Sequence, residues 1–296
     1  MWVDEMRIKA LAYSMVCLIG VSLPAAAAER IAATYNFILH GFVVSTAETV
    51  AALNPHDYRL DIDFRMRGIA KLFSNGHSEI TATGRFGQGG GLAAERFVSA
   101  GHWDGSDYSR TMVFDGAGKL KEQKRDFPAK WLKEYRFEPV PKDMQVGPDP
   151  ASLIVALLRD PPLAATGDGV KAYRVFDGDS VVEWQLKCGP DMVEVEKSSH
   201  SPKYGPAREC LVGNRLVAGK LIETEKQRKK RLKREAKAAK RKDKDDDADV
   251  APRLWLQAVP GSRYLVPIRA EFKTGMGTIR MYLKDLTYAD TNGLSR

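Results

Sequence analysis

Histidine and cysteine are both scarce in this chain: there are five His and three Cys among 296 residues. His40, His56, His77, His102 and His200 are scattered, and none forms the H-E-x-x-H pair or the ligand spacing that a zinc hydrolase needs. No G-x-S-x-G elbow is present to expose an acyl-transfer serine. The glycine cluster at 87–91 lacks the Lys-Ser/Thr pair and the following helix of a phosphate-cradling loop, so it reads as a hairpin loop. Asp177-Gly178-Asp179 lacks the further oxygen ligands and terminal Glu of a calcium loop, and reads as a turn. With no catalytic residue, metal site or cofactor to nominate, the expectation is a protein that is not an enzyme. A hydrolase assembled from distant strands would need a cleft with clustered carboxylates or histidines.

Long apolar runs are also missing beyond the start of the chain. Arg7 and Lys9 precede an apolar run over 10–21, then Ser22-Leu23-Pro24 and the small-residue block Ala25 to Ala28. A short positive region, a brief apolar core and an A-x-A site make a secretory signal, too short in its apolar part to span a bilayer comfortably. Cleavage is expected near Ala27 or Ala28, giving a signal peptide over 1–28, a mature chain over 29–296 with no transmembrane segment, and a periplasmic location. Cys17 lies within the apolar run and leaves with the signal. Cys188 and Cys210 remain; in an exported protein they read as a disulfide, the alternative being half of a metal site for which no histidine stands at ligand spacing.

What is present is alternation. Residues 58–67 place Tyr58, Leu60, Ile62, Phe64 and Met66 on one face and Arg59, Asp61, Asp63, Arg65 and Arg67 on the other, as in a half-buried antiparallel strand. Similar strands are expected over 30–39, 42–53, 78–86, 92–102, 108–114, 119–125, 171–176, 180–186, 191–197, 207–212, 254–259, 265–273 and 278–288, joined by Gly and Asp turns. Residues 68–76 break the pattern, with Ile69, Leu72 and Phe73 expected to fold onto the core. Residues 127–148 read as a short helix or an extended arm carrying Trp131, Leu132, Tyr135 and Phe137.

The helix with clear start and stop signals is at 149–159: Asp149 caps it, Pro150 suits its first position, and Pro161-Pro162 stop it. From Leu153 to Leu158 it has no polar residue, which predicts a helix enclosed on all sides. The expected fold class is therefore mainly β: an open or spiral antiparallel β-barrel wrapped around one central α-helix, a single β-rich domain.

The formal net charge of +8 is concentrated, because residues 225–249 hold twelve Lys and Arg against seven Asp and Glu. This charged insertion, at 225–250 between two strands, is too polar to bury a core and reads as disorder or a solvated helix. Arg228, Lys229, Lys230, Arg231, Lys233 and Arg234 are candidate anion contacts. They lack the interleaved aromatics of a nucleic-acid surface, and an exported protein has no nucleic acid to meet. Asp245, Asp246 and Asp247 read as a solvated acidic run.

The ordered set of 35–42, the Asp149-Pro150-Ala151-Ser152-Leu153 helix start, Val175-Phe176-Asp177-Gly178, the later cysteines, Leu265 to Arg269 and 275–283 resembles the bacterial envelope family called domain of unknown function 3108. The insertion departs from that pattern. The resemblance implies a periplasmic protein of Gram-negative bacteria, built of antiparallel β-structure and similar in style to spiral barrels associated with envelope integrity. It brings no assigned reaction. The resulting expectation is a non-enzymatic cell-envelope protein that binds an apolar or amphipathic envelope component such as a lipid, with Tyr58, Leu60, Ile62, Phe64, Leu153, Ile154 and Leu157 as candidate ligand wall. The bland reading of the same residues is ordinary core, and it is the one their pattern favours. The alternative function is a scaffold contacting envelope proteins through a sheet edge or the charged insertion.

Overall fold

Strands with one apolar face must bury it, and short turns let successive strands do so against their neighbours. The computed structural model of the chain describes residues 28–68, 71, 75–87, 91–159, 170–241, 251–274 and 276–290. The expected signal peptide, the apolar residues Ile69, Leu72 and Phe73, and the acidic run at 245–247 lie outside them.

Seven strands follow one another by short connections: β1 (Glu29–Leu39), β2 (Phe42–Leu53), β3 (Asp57–Met66), β4 (His77–Phe86), β5 (Leu92–Trp103), β6 (Ser106–Phe114) and β7 (Leu120–Asp126). Next come α1 (Ala129–Glu134), the two-residue β8 (Arg136–Phe137), a 3-10 turn (Lys142–Met144) and α2 (Pro150–Arg159). The remainder is β9 (Val170–Phe176), β10 (Val181–Val195), β11 (Gly205–Ala218), β12 (Leu221–Ile222), α3 (Glu225–Arg241), β13 (Arg253–Ala258), β14 (Leu265–Thr274) and β15 (Gly277–Asp290). Thirteen strands form one antiparallel sheet in the order β7-β6-β5-β4-β3-β2-β1-β15-β14-β13-β11-β10-β9, and β12 pairs with β8. The first and last strands of the chain thus meet in mid-sheet, with Glu29 opposite Asp290 and Leu39 opposite Ile279.

No backbone ladder joins β7 to β9 among the described residues, so the sheet is not a closed barrel. A spliced segment stands between the two edges instead. Val146 bridges to Lys119, Leu120 N donates to Gln145 O at 2.8 Å, Gly147 N donates to Gly118 O at 2.9 Å, and Phe176 N donates to Pro148 O at 3.0 Å.

The core is formed by Tyr35, Tyr58, Leu60, Phe97, Met112, Phe176, Tyr264, Ile268 and Leu283 together with Val155 of α2. α2 packs against the neighbouring strands β3, β4 and β5 and against β14 and β9, which lie further round the sheet. Its start is held as its sequence requires: Asp149 Oδ1 accepts from the backbone N–H groups of Ala151 and Ser152, each at 2.9 Å, and Oδ2 accepts from Ser152 Oγ at 2.5 Å. The enclosed helix is corrected in one respect. Ala151, Ser152, Val155 and Leu158 are buried, but Leu153 and Leu157 are half-buried and Ile154 is 38% exposed. At about 100° per residue a helix this short turns one face to the sheet and leaves the other, with Ile154, partly open.

Two strands expected over 180–186 and 191–197 are one strand, β10, with a register shift between Cys188 and Met192 where Gly189 and Pro190 lie. The insertion is helical over Glu225–Arg241, the exposed-helix alternative rather than disorder. Cys188 and Cys210 are bonded across β10 and β11, directly opposite each other and both buried. Replacing both with Ala is expected to lower the unfolding free energy by about 3 kcal/mol, mainly by freeing the unfolded chain. Urea unfolding of the oxidised protein and the variant measures it; coincident curves would refute it.

Candidate functional site

The aromatic residues of the irregular segment converge rather than scatter. Phe127, Trp131 and Tyr135 are four apart, so the turn of α1 carries them past Tyr108 of β6. Ring centroids lie 5.6 Å apart for Tyr108 and Trp131, 6.1 Å for Tyr108 and Phe127, and 6.2 Å for Phe127 and Trp131. α1 has no side-chain cap and no buried residue, so it is a short cover held mainly by these rings. Below it is a pocket of about 350 Å³ lined by Phe97, Ser99, Tyr108, Phe127, Trp131, Leu132, Tyr135, Phe137 and Pro150, with Arg110, Arg125, Asp177 and Asp179 on one side. Leu132 and Tyr135 stand on its rim, 49% and 55% exposed.

The charged side of the pocket is also the side-chain fastening between the two ends of the sheet. Arg110 of β6 donates from Nη2 to Asp179 Oδ2 and from Nη1 to Asp177 O, and Arg125 of β7 donates from Nη1 to Asp179 Oδ1. Gln123 Nε2 donates to Gly178 O at 3.0 Å. Both Arg110 and Asp179 are mostly buried, with side chains 14% and 13% exposed, whereas Arg125 is 43% exposed. Arg110 also lies over the Phe127 ring, 5.0 Å from its centroid.

The turn that presents Asp179 is shaped by its own carboxylate. Asp177 Oδ1 accepts from Asp179 N at 2.9 Å and Ser180 N at 2.6 Å, and Oδ2 accepts from Ser180 Oγ at 2.7 Å. Gly178 takes φ +95° there, and a Cβ would stand 2.6 Å from Gln123 Nε2. Gly219, at φ +78°, presses from the other side, where a Cβ would be 2.2 Å from Asp179 O. The turn read from Asp177-Gly178-Asp179 is therefore present, and it serves to aim a carboxylate at two arginines.

The cover is bolted to the charged insertion. Phe137 and Arg136 of β8 pair with Leu221 and Ile222 of β12. Gln227 of α3 donates from Nε2 to Glu134 O at 2.8 Å, while its Oε1 accepts from Thr224 N at 2.7 Å as part of the helix cap.

Of the expected ligand wall, Tyr58 and Leu60 are 2% and 1% exposed and belong to the core. Tyr58 OH donates to Ser152 Oγ at 2.7 Å, completing a buried chain through Ser152 to Asp149. Burial raises the pKa of the Asp149 carboxyl, against three hydrogen bonds that favour its charged form; it raises that of the Tyr58 phenol too. Ile62 and Phe64, further along β3, are half-buried, with Phe64 stacked on Trp103 at 6.1 Å. Leu153, Ile154 and Leu157 lie on the less covered side of α2. The seven therefore do not form one surface: two are core, two sit toward the far end of β3, and three lie on or beside the outer face of the helix.

Of the candidate anion contacts, Arg228, Lys229, Lys230, Arg231 and Lys233 are exposed on α3, and the side chain of Arg234 lies outside the described ones. Arg231 is already committed to Glu223 at 2.7 Å and Glu235 at 2.9 Å, and these carboxylates raise its pKa further. Lys229 pairs with Glu225 at 2.7 Å.

Among the described residues no group of three or more His, Cys, Asp or Glu could hold a metal ion. No described helix is long and apolar enough to cross a membrane. A family profile described as "Protein of unknown function (DUF3108)" matches residues 30–284. No curated protein matches. The chain is similar to a crystal structure of a beta-barrel-like protein of domain of unknown function DUF1849 from Brucella abortus, at 12% identity and a TM-score of 0.44, covering 89% of this chain and 98% of that one.

Proposed function

The chain belongs to the DUF3108 family, and from that premise we propose that it is a non-enzymatic protein of the periplasm which binds an amphipathic component of the cell envelope in the pocket beneath α1. The sheet acts as an open barrel wrapped around α2, its two ends latched by the Asp177–Ser180 turn and the spliced segment at 145–148. The observation that carries the reading is the pocket itself. Its lining is predominantly aromatic and apolar, and its polar groups converge on one wall, which is the usual composition of a small-molecule site. An acyl chain or sterol-like ring would lie against Tyr108, Phe127 and Trp131. A polar head would meet the partly exposed Arg125 guanidinium at the latch. The export signal over the first residues supports the compartment.

Native mass spectrometry of protein purified gently from a Gram-negative periplasm, followed by organic extraction, tests this directly. A stoichiometric lipid is expected, and Trp131→Ala should weaken its retention at least tenfold because the variant removes the central ring. A clean apo mass for the unaltered protein, under conditions that preserve lipid in control complexes, would overturn the reading.

A further inference from the structure

Sheet topology gathers several connections at one end. In register, Leu39 faces Phe42, Trp103 faces Ser106 and Thr274 faces Gly277, while Arg65 of β3 faces His77 of β4. The β1–β2, β3–β4, β5–β6 and β14–β15 connections therefore share that end, and β7 finishes there too, with Asp126 opposite Ser109. α1 follows β7 directly.

Two of these tips carry large apolar side chains in the open: Phe42 is 58% exposed and Met276 is 69% exposed. They belong to neighbouring hairpins, and the His40 ring ties the two tips together by donating from Nε2 to Met276 O at 2.7 Å. Exposed Lys71 and Lys273 lie on the same set of connections. The base of α3 is fixed at this end as well, through Gln227 and Glu134. From there its 17 residues extend for about 25 Å with Lys226, Arg228, Lys230 and Lys233 exposed. Asp104 and Asp107 on the β5–β6 turn are of the opposite sign and exposed, which leaves the β1–β2 and β14–β15 tips as the contact.

From this juxtaposition we infer that this end of the sheet docks on an anionic bilayer surface. Phe42 and Met276 enter the boundary between headgroups and acyl chains, while the cations of α3 lie over phosphate headgroups. Two apolar tips hold a bilayer weakly, and so does a short basic helix without a continuous apolar face. Joined rigidly through the fold, the two signals reinforce each other. The inference goes beyond the pocket reading and stands whether or not the pocket is occupied.

The test is flotation of the purified protein with vesicles of phosphatidylglycerol and phosphatidylethanolamine, against vesicles of phosphatidylcholine alone. Binding is expected to the anionic vesicles and to weaken with added salt. Phe42→Ser with Met276→Ser should weaken it roughly tenfold. Lys226→Gln, Arg228→Gln, Lys230→Gln and Lys233→Gln together should weaken it on the order of a hundredfold. The second set lies on a solvated helix and leaves folding intact, so it decides the matter if the first set does not fold. Lys187→Gln with Lys197→Gln, exposed cations on and just after β10 and away from that end, should leave vesicle binding unchanged. Absence of binding, binding indifferent to the α3 changes, or binding weakened as much by the β10 changes would overturn the docking face.

Discussion

Asp179→Ala is expected to lower the unfolding free energy by about 3 kcal/mol, a large effect for one residue in a turn. The loss has two parts. Arg110 keeps its charge but loses its carboxylate partner in a place where its side chain is only 14% exposed. The backbone oxygen of Asp177 remains as its acceptor and cannot neutralise it. The strands at the two ends of the sheet then lose their main ionic link. Arg125→Ala should cost less than about 1 kcal/mol, because that partner is 43% exposed and screened by water. Replacing the buried pair together, Arg110→Met with Asp179→Leu, should recover much of the stability, since an apolar pair carries no desolvation cost. Urea unfolding of the protein, Arg110→Met, Asp179→Leu and the double variant gives the coupling directly; a loss below about 0.5 kcal/mol for Asp179→Ala would show that the latch carries no stability.

Asp149→Ala is expected to cost a similar amount, about 3 kcal/mol, from loss of a helix cap and from leaving buried donors unpaired. The Ser152 hydroxyl, which accepts a hydrogen bond from Tyr58 and donates one to Asp149, would lose its acceptor in a site with no exposure to water. The same carboxyl gives a pH signature of definite sign. Its pKa is raised on folding from 3.8, chiefly by burial, so the native state holds the proton more tightly than the unfolded chain. Its contribution to stability is greatest below 3.8 and declines as the pH rises through the folded value. Asp61, Asp63, Glu183 and Glu271, lowered by neighbouring arginines, pull in the opposite direction. The difference between the protein and Asp149→Asn isolates the one group. That difference should shrink from pH 4 toward neutrality, and a constant difference would contradict the raised pKa.

Local order was readable where a pattern repeats every two residues or where a cap has distinctive chemistry. The alternation from Tyr58 to Met66 and the Asp149-Pro150 helix start gave their elements almost to the residue. The cysteine pair was readable because only Cys188 and Cys210 lie beyond the expected signal segment, and the strands around them are adjacent. Elsewhere the controlling contacts lie far apart in the chain. Arg110 and Asp179 are 69 residues apart, and neither has a local signal that names the other. Of the pocket residues, Trp131, Leu132, Tyr135 and Phe137 stood out only as a short helix or extended arm and not as a site, and their partner Tyr108 belongs to a strand whose pattern is ordinary. The exposure of Ile154 was hidden because an all-apolar helix says what it could bury, and only the surrounding elements decide what it does bury. Gly189-Pro190 looked like a strand break and is an irregularity within one strand, since the neighbouring β11 continues alongside it.

A closed cylinder of strands ties its members to one another, because strand number, tilt and stagger must agree before the last ladder can form. Here the join is a carboxylate, two guanidinium groups and a spliced segment of chain. Such a join tolerates changes of circumference. Residues could be gained or lost at the free ends of the edge strands β7 and β9 without resetting the register of the other strands, provided Asp179 of the β9–β10 turn still reached Arg110 and Arg125. The architecture is therefore open to variation at its margins. Length differences among its relatives should collect at the ends of β7 and β9, while the pairing of β1 with β15 at the middle stays fixed.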